Sequence, residues 1–165
     1  MRWEESYLGK LRAFAGNQKL IVPSIRAIIE DQEGKVLFIK RLDGDRWGMP
    51  AGSIELNESI YDCLVREVKE ETGLDVLSAK AIAIYSNPLY STKNKFGDEY
   101  QLFEFLFLVE TWTGLLKAQT EESRDARFYS VNKIPASTND FWAAFHREVI
   151  EDLYEYKNNQ QFIVK

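Results

Sequence analysis

Residues 52–74 read GSIELNESIYDCLVREVKEETGL, and their second half crowds carboxylates where an ordinary amphipathic helix has none. Ser59 followed three residues later by Asp62 is a capping-box signal and Gly73 a left-handed stop, which together predict a helix from Ser59 to Gly73. At about 100° per residue, Ile60, Leu64 and Val68 mark the buried face, with Cys63 on its flank. Glu67 and Glu71 continue that line, Glu70 falls on the Cys63 side, and Asp62, Arg66 and Lys69 take the outer side. The last turns of this helix therefore aim acid inward.

Acids spaced i, i+3 and i+4 meet on one surface. Half-buried and crowded, they rise in pKa and cost stability unless a cation sits among them. A hard divalent ion meets that need: carboxylate oxygens suit Mg²⁺ or Mn²⁺, and Mg²⁺ completes its shell with waters and substrate phosphates. The wheel alone leaves a solvated acidic face equally open.

The wider spacing decides between them. Gly52, Glu58, Arg66, Glu67, Val68, Glu70, Glu71, Gly73 and Leu74 stand as G-x5-E-x7-R-E-V-x-E-E-x-G-L, which resembles the Nudix box of MutT-like hydrolases without a mismatch. Average residue usage puts a chance match on the order of 10⁻⁷ or below, so coincidence is set aside. The resemblance implies an α/β (α+β) Nudix fold, a mixed β-sheet sandwiched between α-helices. It also implies a pyrophosphatase that uses metal to cleave a nucleoside diphosphate linked to another group, such as ADP-ribose or a nucleoside triphosphate.

On that resemblance Glu67, Glu70, Glu71 and Arg66 are the catalytic candidates, with Glu122 as an acid from a later loop and Glu121 as its neighbouring choice. Metal-ligand candidates are the Ala51 carbonyl, Glu67, Glu70, Glu71, Glu122 and Glu58, the last also able to orient an outer-shell water. Many family members carry glycine in the place of Ala51; since only a carbonyl is needed, alanine serves if φ stays negative. Arg66 is expected to hold a box carboxylate rather than touch substrate. Glu67 and Glu122 are both candidates for the base.

The chain has 165 residues, enough for one domain with a real core. With 26 acidic and 21 basic residues the net charge is −5, which argues against bulk nucleic-acid binding and leaves room for a local basic pocket. Cys63, the single cysteine, reads as a packed core thiol. The N-terminus is charged throughout and no run reaches membrane-spanning length, so a cytoplasmic protein without membrane contact is expected.

Around the box, residues 1–17 read as an N-terminal helical segment with apolar Tyr7, Leu8, Leu11 and Phe14 and a stop at Gly16, packing on the core or on a second subunit of a homodimer. Residues 18–136 form the core. In it Leu20–Ile29 and Lys35–Arg41 read as two antiparallel strands across a DQEG turn, and RLDGDRWGMP as a loop in which Trp47 is a core or hinge aromatic. Val76–Tyr85 is a strand. Residues 86–100 are a long polar loop in which Tyr90, Phe96 and Tyr100 can either stack on a base or anchor the loop, and Lys93 and Lys95 can meet phosphate. The resemblance pulls two ways here: Pro88 stands about where ADP-ribose enzymes place a proline, and Tyr90 near a tyrosine of dinucleoside polyphosphate enzymes. Arg41, Arg46, Tyr90 and Phe96 are the substrate-binding candidates.

Gln101–Glu110 is an apolar strand broken only by Glu104, buried on both faces, so a helix is expected on each side of the sheet. Leu115–Ala118 reads as a partner strand, residues 120–125 as a charged loop, and ARFYSV as the closing strand. Residues 138–158 form a final helix capped by Asn139 or Asp140, with a stripe of Phe141, Trp142, Phe145, Val149, Leu153 and Tyr156. His146, the only histidine, is expected on that helix's surface, and one histidine excludes a histidine-based zinc site or a Ser-His-Asp triad in this chain. Two other functions fit the same box less well. A non-catalytic nucleotide-sensing module need not keep every acid, and an isoprenoid diphosphate isomerase needs an acid-base pair, typically with cysteine, outside the box.

Overall fold

The computed structural model describes residues 3–42, 47–137 and 139–165. A 3₁₀ turn, Trp3–Glu5, leads into helix α1, Tyr7–Ala15, whose cap Ser6 accepts from the Gly9 N–H. Then come strands β1 Leu20–Ile29, β2 Val36–Arg41, β3 Trp47–Gly48 and β4 Ala51–Ser53. Helix α2, Ile60–Thr72, is followed by β5 Asp75–Tyr85, β6 Ser91–Lys93, β7 Glu99–Thr113 and β8 Ser123–Tyr129. Helix α3, Asp140–Asn159, and β9, Ile163–Val164, end the chain.

The strands form two sheets. In the larger one the order is β4-β1-β7-β5-β9, with β6 also on β7; in the smaller it is β3-β2-β8. β1 runs parallel to β7 from Leu20↔Tyr100 to Ile29↔Val109, and β5 runs antiparallel to β7 on its other edge. The expected β1–β2 hairpin splits. Among the described residues the two segments still meet at the isolated bridge Glu30↔Val36, beyond which β1 turns to β4 and β7 while β2 turns to β3 and β8. The turn itself is as its residues demand, with Asp31 Oδ1 accepting from the N–H groups of Glu33 and Lys35 and Gly34 at φ 73°.

Two cores result, one on each face, as the apolar β7 requires. Ile25, Ala27, Ile29, Phe107 and Val109 pack with Leu37 and Ile39 under Cys63, Leu64 and Val68 of α2. On the opposite face Ile28, Leu102, Leu106 and Tyr85 pack with Val36 and Phe38 under Phe145, Val149 and Leu153 of α3. Burying β2 on both faces is what ties the small sheet to both helices. The α3 cap is Asn139, whose side chain accepts from the Trp142 N–H.

Several sequence expectations are corrected. Residues 115–118 are irregular rather than a strand, and the closing strand already begins at Ser123. Trp47 and Gly48 pair with β2 instead of lying in a loop, and the 86–100 loop contains β6. The face that α1 turns inward carries Gly9 and Arg12, while Phe14 is 92% exposed. Arg12 prevails over the apolar stripe because its guanidinium donates to the carbonyls of Gly16, Gln18 and Glu99 and lies 4.7 Å from the Tyr100 ring. β9 carried no signal beyond two apolar residues.

The end of the chain is held by charge. Lys165 donates its N–H to the Ile84 carbonyl, and its ammonium lies 2.7 Å from buried Asp152, which also accepts from the Tyr85 hydroxyl at 2.7 Å. Hydrogen bonds to Asp152 and Glu148 hold the Lys165 pKa above its ordinary value against the opposing effect of burial. Lys165→Met should lower unfolding free energy in urea by about 1–3 kcal/mol, because it leaves a buried carboxylate short of a cation, and Asp152→Asn in that background should recover part of it.

Candidate functional site

Helix α2 delivers its acids as its cap and stop dictate. The Ser59 side chain accepts from the Asp62 N–H, and Gly73 closes the helix at φ 77° with its N–H on the Lys69 carbonyl. The inward faces of the last turns carry Glu67, 8% exposed, and Glu71, fully buried. Among the described residues, Glu67 and Glu70 of α2 and Glu122 from the loop before β8 each bring a carboxylate oxygen within 4.8 Å of the other two. All three line a cavity of about 440 Å³ with Arg41, Arg66, Gly52 and Ser53. Glu122 rather than exposed Glu121 reaches it.

Arg66 organises this group. Its Nη1 donates to Glu67 at 2.6 Å and lies 3.4 Å from Glu70, and Nη2 donates to the Ser53 carbonyl at 3.1 Å. Glu58, expected to orient a water or bind an ion, has both its oxygens on Arg66, at 2.7 and 2.9 Å. That hydrogen bonding lowers the Glu58 pKa. Burial raises the Glu67 pKa and repulsion from Glu71 adds to it, with Arg66 opposing both. A Cβ on Gly52 would run into the Glu67 carboxylate, so the first glycine of the box is the space into which this acid is pressed.

Glu71 stands apart from the three-acid cluster. Its carboxylate is taken by Arg41 Nη1 at 2.7 Å and by the Ala51 N–H at 2.9 Å, and it is not among the residues that line the cavity. Burial raises its pKa as well, while Arg41 and the Ala51 N–H pull the other way. Ala51 lies within β4 and has no positive φ.

A second cavity of about 290 Å³ adjoins the first and shares Trp3, Leu8, Arg41, Ala51, Gly52 and Ser53 with it. Its walls are largely aromatic and aliphatic: Trp47, Tyr100, Trp142, Met49, Val22 and Leu102. At its polar side Arg26 Nε donates to Glu104 at 2.7 Å, Nη2 reaches the other Glu104 oxygen at 3.3 Å, and Ser24 donates to Glu104 at 3.3 Å. His146 is 2% exposed here, which corrects its expected surface position. Its ring stacks on Trp142 and meets Phe38 edge-on, and its nitrogens lie 3.4 Å from Arg26 Nη1 and 3.0 Å from Ser137 Oγ. The neutral tautomer with Nδ1–H toward Ser137 and a bare Nε2 toward Arg26 satisfies both contacts. Sequence reasoning missed this network, although isolated charges inside apolar strands, Arg26 and Glu104, were its visible signal.

Tyr90 and Phe96 are placed away from both cavities. Tyr90 packs edge-on against Tyr85 and Phe145 and donates to Glu148, and Phe96 lies exposed on the turn before β7, 5.1 Å from the Lys95 ammonium. Their aromatic area anchors the loop or faces solvent instead of lining a site. Arg41 lines both cavities, and Arg46 lies outside the described residues.

Two outcomes follow from this geometry. Gly52→Ala should displace the Glu67 carboxylate and weaken Mg²⁺ binding, read by calorimetry, about 10-fold or more. Burial and the Arg26 charge push the His146 pKa down to about 3 from 6.5. Only the unfolded chain then takes up that proton between those values, so stability contributed by neutral His146 is complete above pH 6.5 and falls as pH drops toward 3. The slope approaches one proton, about 1.4 kcal/mol per pH unit. Buried Glu67 and Glu71 act with the opposite sign, so the measure is the difference between the urea-stability profiles of the wild type and His146→Gln.

No helix among the described residues is long and apolar enough to cross a membrane. The model of the NUDIX domain family matches residues 20–153. An ADP-ribose pyrophosphatase of Methanocaldococcus jannaschii is 29% identical over 138 residues, 82% of this chain and 74% of that protein. Among solved structures, a UDP-X diphosphatase superposes with a TM-score of 0.67 at 20% identity, covering 100% of this chain and 76% of the other. The NUDIX domain of Shewanella oneidensis NrtR, complexed with ADP ribose, superposes with a TM-score of 0.64 at 18% identity, covering 90% and 98%. With the family model matched over residues 20–153 and curated pyrophosphatase relatives, the chain belongs to the NUDIX domain family and is a hydrolase of that family.

Proposed function

We propose that this chain is a Mg²⁺-dependent pyrophosphohydrolase that cleaves the diphosphate of a nucleoside diphosphate linked to a second group, with ADP-ribose the first candidate. The observation that carries the reading is the junction of the two cavities: three convergent carboxylates on one side, an aromatic chamber on the other, and Arg41 lining both. The 29% identity to an ADP-ribose pyrophosphatase supports the choice of substrate.

The donor set fits the ion. Carboxylate oxygens are the ligands a hard divalent cation takes, and the three acids bring theirs within 4.8 Å of one another. Glu67, Glu70 and Glu122 would hold it, with the Ala51 carbonyl beside them. When bound, it would neutralise phosphoryl oxygens and lower the pKa of a water.

The chain's own groups supply the rest. Arg66 fixes Glu67 and Glu70 toward the cavity, so their oxygens are in place before substrate arrives. Glu71 pins the Ala51 N–H and the Arg41 guanidinium, which puts one cation at the shared wall for a phosphate oxygen. Glu67 or Glu122 takes the proton from the attacking water, and the bond to the leaving phosphate breaks as the new P–O bond forms.

The test is turnover of ADP-ribose, nucleoside triphosphates and dinucleoside polyphosphates by EDTA-stripped protein, with and without Mg²⁺ or Mn²⁺, and products identified by mass. Metal-dependent release of AMP and ribose 5-phosphate from ADP-ribose is expected, with Glu70→Gln lowering kcat about 100-fold. Nucleotide binding without cleavage of any substrate would replace this reading with a sensing module.

A further inference from the structure

The residues matched by the family model begin at 20, yet the segment before them builds part of the site. Trp3 and Leu8 line both cavities, and Ser6 lines the acidic one. The segment is fastened at two places. The Tyr7 N–H donates to Glu55 Oε2 at 2.8 Å, and Arg12 ties α1 to the Gly16, Gln18 and Glu99 carbonyls and the Tyr100 ring. Gly9 lets the Trp3 backbone lie directly against α1, where a Cβ would strike the Trp3 carbonyl.

At the chamber's polar side Arg26, Glu104, Ser24 and His146 are committed to one another. Arg26 spends Nε and Nη2 on Glu104 and directs Nη1 toward the Met49 carbonyl and His146, while Glu104 also accepts from Ser24. Faces are what the walls offer: Trp47 and Trp142 are already packed, on Tyr129 and His146, and Trp3, half exposed at the shared wall, has open surface. The chamber volume, about 290 Å³, stands at the low end for small-molecule sites, roughly 300–1,000 Å³, and suits one nucleoside.

We propose that Trp3, held over the cavity junction by α1, is a specificity-determining residue that clamps the nucleobase by its face, so that the site requires a planar base and tolerates which base it is. This rests on the pyrophosphohydrolase reading. Ring stacking is blind to base identity because every base presents a π-face.

The experiment compares ADP-, GDP- and UDP-sugars as substrates of the wild type, Trp3→Ala, Trp3→Phe and Gly9→Ala. Binding of AMP, GMP and UMP is followed without metal by quenching of tryptophan fluorescence. Wild-type KM values within about 5-fold across the bases are expected. Trp3→Ala should raise all of them by about 10-fold or more with a smaller change in kcat, Trp3→Phe should restore most of the loss, and Gly9→Ala should reproduce it with the ring still present. Preference for one base by 100-fold, or Trp3→Ala kinetics equal to wild type, would overturn the clamp while leaving hydrolysis intact. If no substrate is cleaved, the pyrophosphohydrolase reading falls. The monophosphate quench then decides on the clamp alone: it is supported if Trp3→Ala weakens all three nucleotides and overturned if it weakens none.

Discussion

Everything in this molecule is arranged around negative charge that α2 carries into the protein. Glu67 and Glu71 lie on the buried face of a helix whose other inward residues are Cys63, Leu64, Val68 and Thr72, and burial alone pushes both toward the protonated form. Two arginines and a backbone N–H keep the arrangement tolerable. Arg66 joins Glu67, Glu70 and Glu58 into one network, while Arg41 and the Ala51 N–H satisfy Glu71. The fold supplies each partner from a different place: Arg66 from the helix itself, Arg41 from the end of β2, and Ala51 from the short strand β4. Such an assembly forms only when the sheets are correctly placed, so site and fold are parts of one packing problem.

The division into two sheets answers that problem. Had β1 and β2 stayed paired as a hairpin, β2 could not lie between α2 and α3 or carry Arg41 to Glu71. Their divergence after the Glu30–Val36 bridge leaves room between the sheets. The acidic cavity and the aromatic chamber meet along β4, where Ala51, Gly52 and Ser53 serve both.

Much of this was legible beforehand. The cap at Ser59, the stop at Gly73 and the inward line of Glu67 and Glu71 follow from local chemistry and helical period, which depend on few residues and short range. Cap and stripe likewise located α3. What escaped was set by partners far along the chain. The hairpin expectation failed because strand pairing is chosen by the whole sheet and not by the turn between two segments. His146 was misplaced because its burial is made acceptable by Arg26, 120 positions away, with which it shares a contact. The α1 stripe misled for the same reason, since Arg12 finds a carbonyl of a distant strand, that of Glu99, which helps make a charged side chain the better one to bury. Tyr90 and Phe96 show the limit of composition: aromatic residues in a polar loop anchor it as readily as they bind anything.

The wall containing Trp3 and Leu8 comes from residues before the segment that defines the family, whereas the acids come from within it. Part of the wall and all of the acids thus come from separate stretches of chain, which meet at Glu55 and Arg12. Because Trp3, Ser6 and Leu8 also line the acidic cavity, a change in the leading stretch reaches the walls of both cavities while leaving the arginine contacts of the buried acids in place.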